Sequence, residues 1–296
     1  MKLSPYVMGG AAGALVLFAA PAGLAARTPS AILQADDGLF AGIGYDMAAS
    51  QASAATVPVD TEEGGLTAYS VGLTHIGRRS GDLYEELRLS GLFGTLGYQG
   101  NGALGLPAQG AVTKRALAAG ARLGLVLDGL WGENRAVVLI PYLGAGFDRG
   151  VSGGPSGANP GGETVTTARL GIGLGLDYTL DPRLVLTLHA LTGYTLGAQV
   201  TTTDPVFYDT ATGTLTSARI TEPLGDSPYT VLGVTIHYRV DRDLTLSLGA
   251  RRVTGSASGA APIPIIDSAG QTVGTTPIPG RRTTDTVVML KASVPF

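Results

Sequence analysis

Residues 166–178 read Thr166-Thr167-Ala168-Arg169-Leu170-Gly171-Ile172-Gly173-Leu174-Gly175-Leu176-Asp177-Tyr178. Leu170, Ile172, Leu174, Leu176 and Tyr178 fall on one parity, and Arg169, Gly171, Gly173, Gly175 and Asp177 on the other. A repeat of two is the period of a β-strand; a helix would return its apolar residues every three or four. The two faces differ in kind. One is unbroken Leu/Ile/Tyr, and the other is glycine and charge, so the strand separates an apolar medium from a polar one.

The same division recurs on both sides. In 115–127, Leu117, Leu123, Leu125 and Leu127 oppose Gly120, Arg122 and Gly124, with Asp128 next on the polar side. In 230–240, Leu232, Val234, Ile236 and Tyr238 oppose Gly233, Thr235, His237 and Arg239. Weaker alternation at 39–47, 67–75, 85–95, 137–147, 184–196, 244–252 and 285–296 brings the expected total to about ten strands. Short polar turns at 77–81, 132–134, 180–182 and 241–243 alternate with long Gly/Ser/Thr/Pro stretches at 50–65, 100–113, 150–163, 201–228 and 255–283. That alternation predicts an all-β, antiparallel up-and-down transmembrane barrel, with short periplasmic turns, long extracellular loops and both termini in the periplasm. The stretches 201–219 and 261–275 are long enough to add a hairpin above the membrane. A soluble β-sandwich also alternates, but it would place charge freely on its solvent face, and here the Leu/Val/Ile face carries none in mid-strand. Trp131, Tyr178, Tyr238 and Phe296 fall near the short-turn ends, where an interfacial girdle belongs.

Composition narrows the function. The chain has 296 residues, 44% hydrophobic and 15% charged, which is too apolar for disorder. Its 45 glycines show no triplet period, so they serve turns and close packing. The absence of cysteine removes disulfides, thiolate metal sites and cysteine nucleophiles. A net charge of −3 argues against nucleic acid as a partner. Met1-Lys2, an apolar run over 9–20, Pro21 and small residues to Ala26 have the order of a secretory signal peptide. Residues 1–26 are therefore expected to be removed after Ala25 or Ala26 during Sec-type export. Residues 27–296 are then the mature barrel. No other stretch reaches the roughly 18 apolar residues of a spanning helix, so any crossing of the membrane uses strands.

Two segments carry a resemblance. The end of the chain, Thr286 through Val288, Leu290, Ala292 and Val294 to Phe296, resembles the terminal strand of bacterial outer-membrane barrels. This implies recognition by the barrel-assembly machinery, with Phe296 as the signal. Ile140-Pro141-Tyr142-Leu143-Gly144-Ala145-Gly146-Phe147 is similar to the P-Y-x-G-A-G strand of small opacity-type outer-membrane proteins. The resemblance implies fold and location, with outer-membrane lipid and lipopolysaccharide as surroundings, and carries over no functional residue.

Parity assigns a lumenal set: Glu86, Arg88, Arg122, Asp128, Arg169, Asp177, His189, His237, Arg239, Arg251 and Lys291. Hairpin registers set by the turns place Arg122 beside Gly144, His189 beside Gly173 and Arg251 beside Gly233, as filling a narrow barrel requires. Such charges either pair to fill a closed interior or line a narrow pore. In the pore reading Arg122, Arg169, Arg239, Arg251 and Lys291 select anions, and Glu86, Asp128 and Asp177 are counter-charges. Arg115, Arg149 and Arg252 point outward, either to lipopolysaccharide phosphates or snorkelling at the interface. Omptin-like proteolysis needs His and Asp at the extracellular rim. The expected positions of His75, His189 and His237 do not supply them, so no catalytic residue, metal or cofactor is expected. Asp204, Asp209 and Asp226 lack the spacing of a Ca²⁺ loop. The reading is thus a passive narrow pore or structural envelope protein. The alternative is a surface protein acting through its loops, in which the apolar segments 262–266 and 277–279 serve as plug or contact patch. Oligomeric state stays open.

Overall fold

A computed structural model describes residues 30–54, 57–79, 81–101, 107–128, 136–153, 162–257, 260–278 and 280–295. The expected signal peptide, Trp131, the turn at 132–134 and Phe296 lie outside them. The described chain begins with a short helix, α1 (Ser30–Asp36), and continues as strands. In order these are β1 (Gly38–Ala54), β2 (Val57–Ile76), β3 (Leu83–Asn101), β4 (Pro107–Leu125), β5 (Leu127–Asp128), β6 (Val137–Ser152) and β7 (Glu163–Asp181). They are followed by β8 (Leu184–Asp209), β9 (Thr214–Pro223), β10 (Ser227–Arg239), β11 (Thr245–Ala257), β12 (Ala260–Asp267), β13 (Thr272–Ile278) and β14 (Gly280–Val294).

Ten of these strands form a closed antiparallel ring, β1-β2-β3-β4-β6-β7-β8-β10-β11-β14, with β14 pairing back to β1. Closure matters because an unpaired N–H or C=O has no water to turn to in hydrocarbon. Following paired residues once round, Gly38 leads through Thr74, Glu86, Arg122, Gly144, Gly171, Gly193, Tyr229, Gly255 and Thr283 back to β1 at Ser50. The ring therefore closes with a stagger of twelve residues, which tilts its strands by roughly 35–45° to the axis. Four strands lie outside the ring. β5 prolongs β4 along β6, β9 returns along β8, and β12 and β13 form a hairpin against the far end of β8.

The outward face is apolar over its middle. Ile43, Leu117 and Leu232 are 60–63% exposed and sit among many exposed Leu, Ile and Val on every ring strand. A soluble monomer rarely shows a contiguous apolar surface of this kind, whereas a membrane barrel requires it. Tyr178 and Tyr238 border this belt at the short-turn end, as the sequence predicts. A fuller aromatic border lies at the opposite end, where Tyr45, Tyr69, Phe93, Phe147 and Tyr194 are all exposed. Tyr69 packs on Phe93 with ring centroids 6.4 Å apart.

Two expectations are corrected. The stretches at 50–65 and 201–228 are mostly sheet, because β1 and β2 stay paired as far as Ala54 opposite Val57 and β8 runs on to Asp209. The added hairpins above the ring at 201–219 and 261–275 are present as β8–β9 and β12–β13. His189 pairs with Gly175, two residues from the expected Gly173, because the β7–β8 turn falls at Pro182 and Arg183, later than the expected 180–182, and a one-residue register shift between Thr179 and Asp181 takes back only part of the displacement. Arg122 beside Gly144 and Gly233 beside Arg251 are as read from the turns.

Candidate functional site

The lumen is built by glycine opposite large side chains. A Cβ on Gly233 would lie 2.1 Å from His189 Cε1, and one on Gly173 2.3 Å from Tyr142 Cζ. These glycines leave the width that a ring of this size needs for imidazole and phenol side chains.

The short-turn end is shut. α1 lies inside it, with Ile32 fully buried in a cluster that includes Ile76, Tyr84, Val126, Val138, Ile140 and Val185. Polar anchors fix the helix: Arg239 donates to Gln34 Oε1, and Thr245 Oγ1 donates to the Gln34 carbonyl at 3.2 Å. The Arg239 head group therefore holds the plug. Asp36, at the inner end of α1, faces Asp177 on β7, Lys291 on β14 and Glu86 on β3, with His237 Nε2 on β10 at 3.9 Å. Burial, then the neighbouring Asp177 carboxylate, raises the Asp36 carboxyl well above the usual carboxylate range. Thr187 Oγ1 donates to Asp177 at 2.7 Å, and the His237 ring shares a 2.9 Å hydrogen bond with Ser247.

Above α1 a chamber of about 110 Å³ is lined by Glu86, Arg88, Arg122, His189, Arg251 and Lys291. Glu86 accepts from Arg88 at 2.6 Å, from Arg122 at 3.0 Å and from the Tyr84 hydroxyl at 2.9 Å. One carboxylate therefore serves two guanidiniums. Arg88 and Lys291 both lie over the Phe40 ring, 5.5 and 5.4 Å from its centroid, and Arg122 lies 5.0 Å from that of Tyr142. Arg251 joins this chamber to a second one of about 250 Å³, lined among others by Asp46, Lys114, Asp148, Arg169 and Asp285. There Arg169 pairs with Asp148 at 3.0 Å and stacks on Tyr229. Nearer the long-hairpin end, Arg281 reaches Glu163 across the ring at 2.6 Å.

The structure thus brings seven of the predicted lumenal residues, His237 among them, to one chamber and sets Asp177 against Asp36 beside it. Asp128 is buried in β5 at the shut end, apart from the chamber. Arg115 and Arg149 are exposed on the outer face of neighbouring strands, where Arg149 pairs with Leu117 and Arg115 with Val151, and Arg252 is exposed on β11. His75 also faces outward, 2.8 Å from Asp37. Sequence reading missed the plug, although Ser30-Ala31-Ile32 followed by Ala35 puts three apolar residues on one helical face. It also missed the upper acids Asp46, Asp148 and Asp285, which parity alone would have placed inside.

No family model and no curated protein matches the chain. Among solved structures it is similar to the outer membrane protease OmpT from Escherichia coli, at 13% identity and a TM-score of 0.49, over 92% of this chain and 98% of that one. It is similar to the transport unit of the autotransporter AIDA-I from Escherichia coli, at 11% identity and a TM-score of 0.43, over 88% and 90%. Neisserial surface protein A overlaps at 13% identity and a TM-score of 0.27, over 88% and 97%.

Proposed function

We propose that the protein is an integral barrel of the bacterial outer membrane, delivered by Sec-type export, that passes small anions through a narrow lumen stoppered on the periplasmic side by α1. The observation that carries this reading is the charge of the inner chamber: Arg88, Arg122, Arg251 and Lys291 face a space in which, among the described residues, Glu86 is the only carboxylate on a ring strand, Asp36 and Asp37 preceding β1. Low-dielectric walls focus such a field and concentrate anions. The apolar belt and its aromatic borders support a ring set in lipid, with the short turns and both chain ends on the periplasmic side. Lipid, lipopolysaccharide at Arg115, Arg149 and Arg252, and the assembly machinery are its expected partners.

A second reading, surface interaction, is favoured by one feature. β8, β9, β12 and β13 build a sheet beyond the ring, and Ile266 and Val273 are exposed on it. Neither reading assigns a catalytic residue.

The test is single-channel recording from the refolded mature protein in a planar bilayer under asymmetric salt. Anion-selective current that reverses its preference in an Arg122→Glu, Arg251→Glu variant is expected. A correctly inserted barrel that stays silent even when α1 is released would sink the pore reading and move the function to the outer sheet.

A further inference from the structure

We propose that the inner chamber is a binding site for one small dianion, of the phosphate or short-dicarboxylate class, held chiefly by Arg251 and Lys291 with Arg88 and Arg122 completing the cage. The proposal rests on the lumen being a path for anions and adds what stops there. Three guanidiniums and the Lys291 amine line a space of about 110 Å³. Glu86 is shared by Arg88 and Arg122. Among the described residues no carboxylate stands within ion-pair distance of Arg251 or Lys291, and Arg88, Arg122 and Arg169 all repel Arg251. The remaining acids at the chamber, among the described residues, are Asp36 on the plug, whose carboxyl is pressed against that of Asp177, and Asp37, which is engaged by His75 at 2.8 Å. The Asp36–Asp177 pair cannot offset both cations at full charge.

Buried cations without counter-charges are costly, and proteins neutralise them, pair them or bind an anion to them; a guanidinium such as Arg251 does not give up its proton readily, which leaves pairing or an anion. The residues facing the space suit an oxyanion. Arg offers a planar fork that matches carboxylate or phosphate oxygens, and Lys offers a point charge. Ser70, Ser90 and Thr235 add hydroxyls to the same wall. Phe40 holds the Lys291 amine and the Arg88 guanidinium by its ring face, so Lys291 stays positioned with its donors unspent while Arg88 spends one on Glu86. The volume holds several waters, and therefore an inorganic oxyanion or a four-carbon diacid, but not a sugar chain or a peptide.

The experiment is thermal unfolding of the refolded full-length mature barrel, titrated with inorganic phosphate and with succinate against chloride at constant ionic strength. A saturable rise in midpoint of about 5 °C is expected with a dianion and none with chloride. Arg251→Gln and Lys291→Gln should each weaken the apparent affinity at least tenfold, Arg251→Lys should recover part of it, and Arg242→Gln in the exposed 241–243 turn should match the parent. In dianion-free buffer Arg251→Gln should raise the midpoint, since it removes an uncompensated cation; a cation needed only for packing would lower it. Equal stabilisation in the parent and the Arg251→Gln barrel, or by chloride, would overturn the site. If neither variant folds, isothermal titration of the parent with phosphate decides: one saturable site supports the proposal and none overturns it. Conductance separates the two readings, because a silent barrel that binds phosphate refutes only the pore, and a conducting barrel without saturable stabilisation refutes only the site.

Discussion

At the scale of single residues, the interior is governed by the space glycine leaves. Gly233 faces His189 on one neighbour and Arg251 on the other, and a methyl group there would overlap the imidazole ring, whose far end is itself held in the chamber. Gly233→Ala should therefore lower barrel stability by about 1–3 kcal/mol, the usual cost of overpacking. Gly150→Ala, with nothing within 4 Å of its added carbon, should leave stability unchanged. Urea midpoints in lipid vesicles compare the two. Asp36 gives a pH dependence whose sign follows from its raised carboxyl. The docked helix keeps a proton that a released helix gives up in the ordinary carboxylate range. Docking is thus strongest at acid pH and weakens as pH rises through the raised value, Asp177 and Glu86 opposing ionisation while Lys291 favours it. A spin label at position 33 should become more mobile as pH rises, and Asp36→Asn should remove that trend. The charged lumenal residues were legible in the sequence because a period of two fixes the face of every strand residue once one is known. Which glycine meets His189 was not, because the β7–β8 turn falls at Pro182 and Arg183 and, net of a one-residue shift near Asp181, moves the pairing by two.

At the scale of elements, what the sequence hid has two physical causes. Alternation marks a strand only where its faces meet different media. Beyond the apolar belt both faces of β1, β2 and β8 are polar, so Gly/Ser/Thr-rich strand reads as loop. α1 is seven residues long, too short for a periodic pattern to stand out, and its stability comes from the walls around it. That dependence runs one way. The ring closes through β14 and β1 without the helix, whereas Ile32 has no apolar surroundings outside the barrel. Ile32→Asp should therefore release α1 while the heat-modifiable electrophoretic mobility of the folded ring persists. Bilayer recordings should show open-channel current increased severalfold over the parent. An unchanged current would mean that the wall residues Ile76, Tyr84, Val138 and Ile140 close the end without the helix.

For the molecule as a whole, ring and superstructure are separable. β11 pairs directly with β14 as far as Ala257 opposite Arg281, so the β12–β13 hairpin leaves and re-enters the ring at adjacent points. Its contact with the rest is a short parallel pairing of Ile266 and Asp267 with Phe207 and Tyr208, plus the Thr210–Ser268 hydroxyl contact at 3.0 Å. None of these supports a strand inside the apolar belt. Replacing residues 258–279 by a short Asn-Gly turn should thus leave a barrel that inserts, migrates as folded and unfolds within about 1 kcal/mol of the parent, the turn itself being favourable for an antiparallel pair. The measurement is the unfolding midpoint together with conductance of the shortened protein. Equal stability and current would confine transport to the ring and leave the outer sheet for surface contact. A shortened barrel that still folds but conducts differently would make the hairpin part of the extracellular entrance, where Arg281 and Glu163 already bridge the ring. A clear loss of stability would mean that the sheet beyond the membrane braces β8, the longest strand, against the ring it extends from.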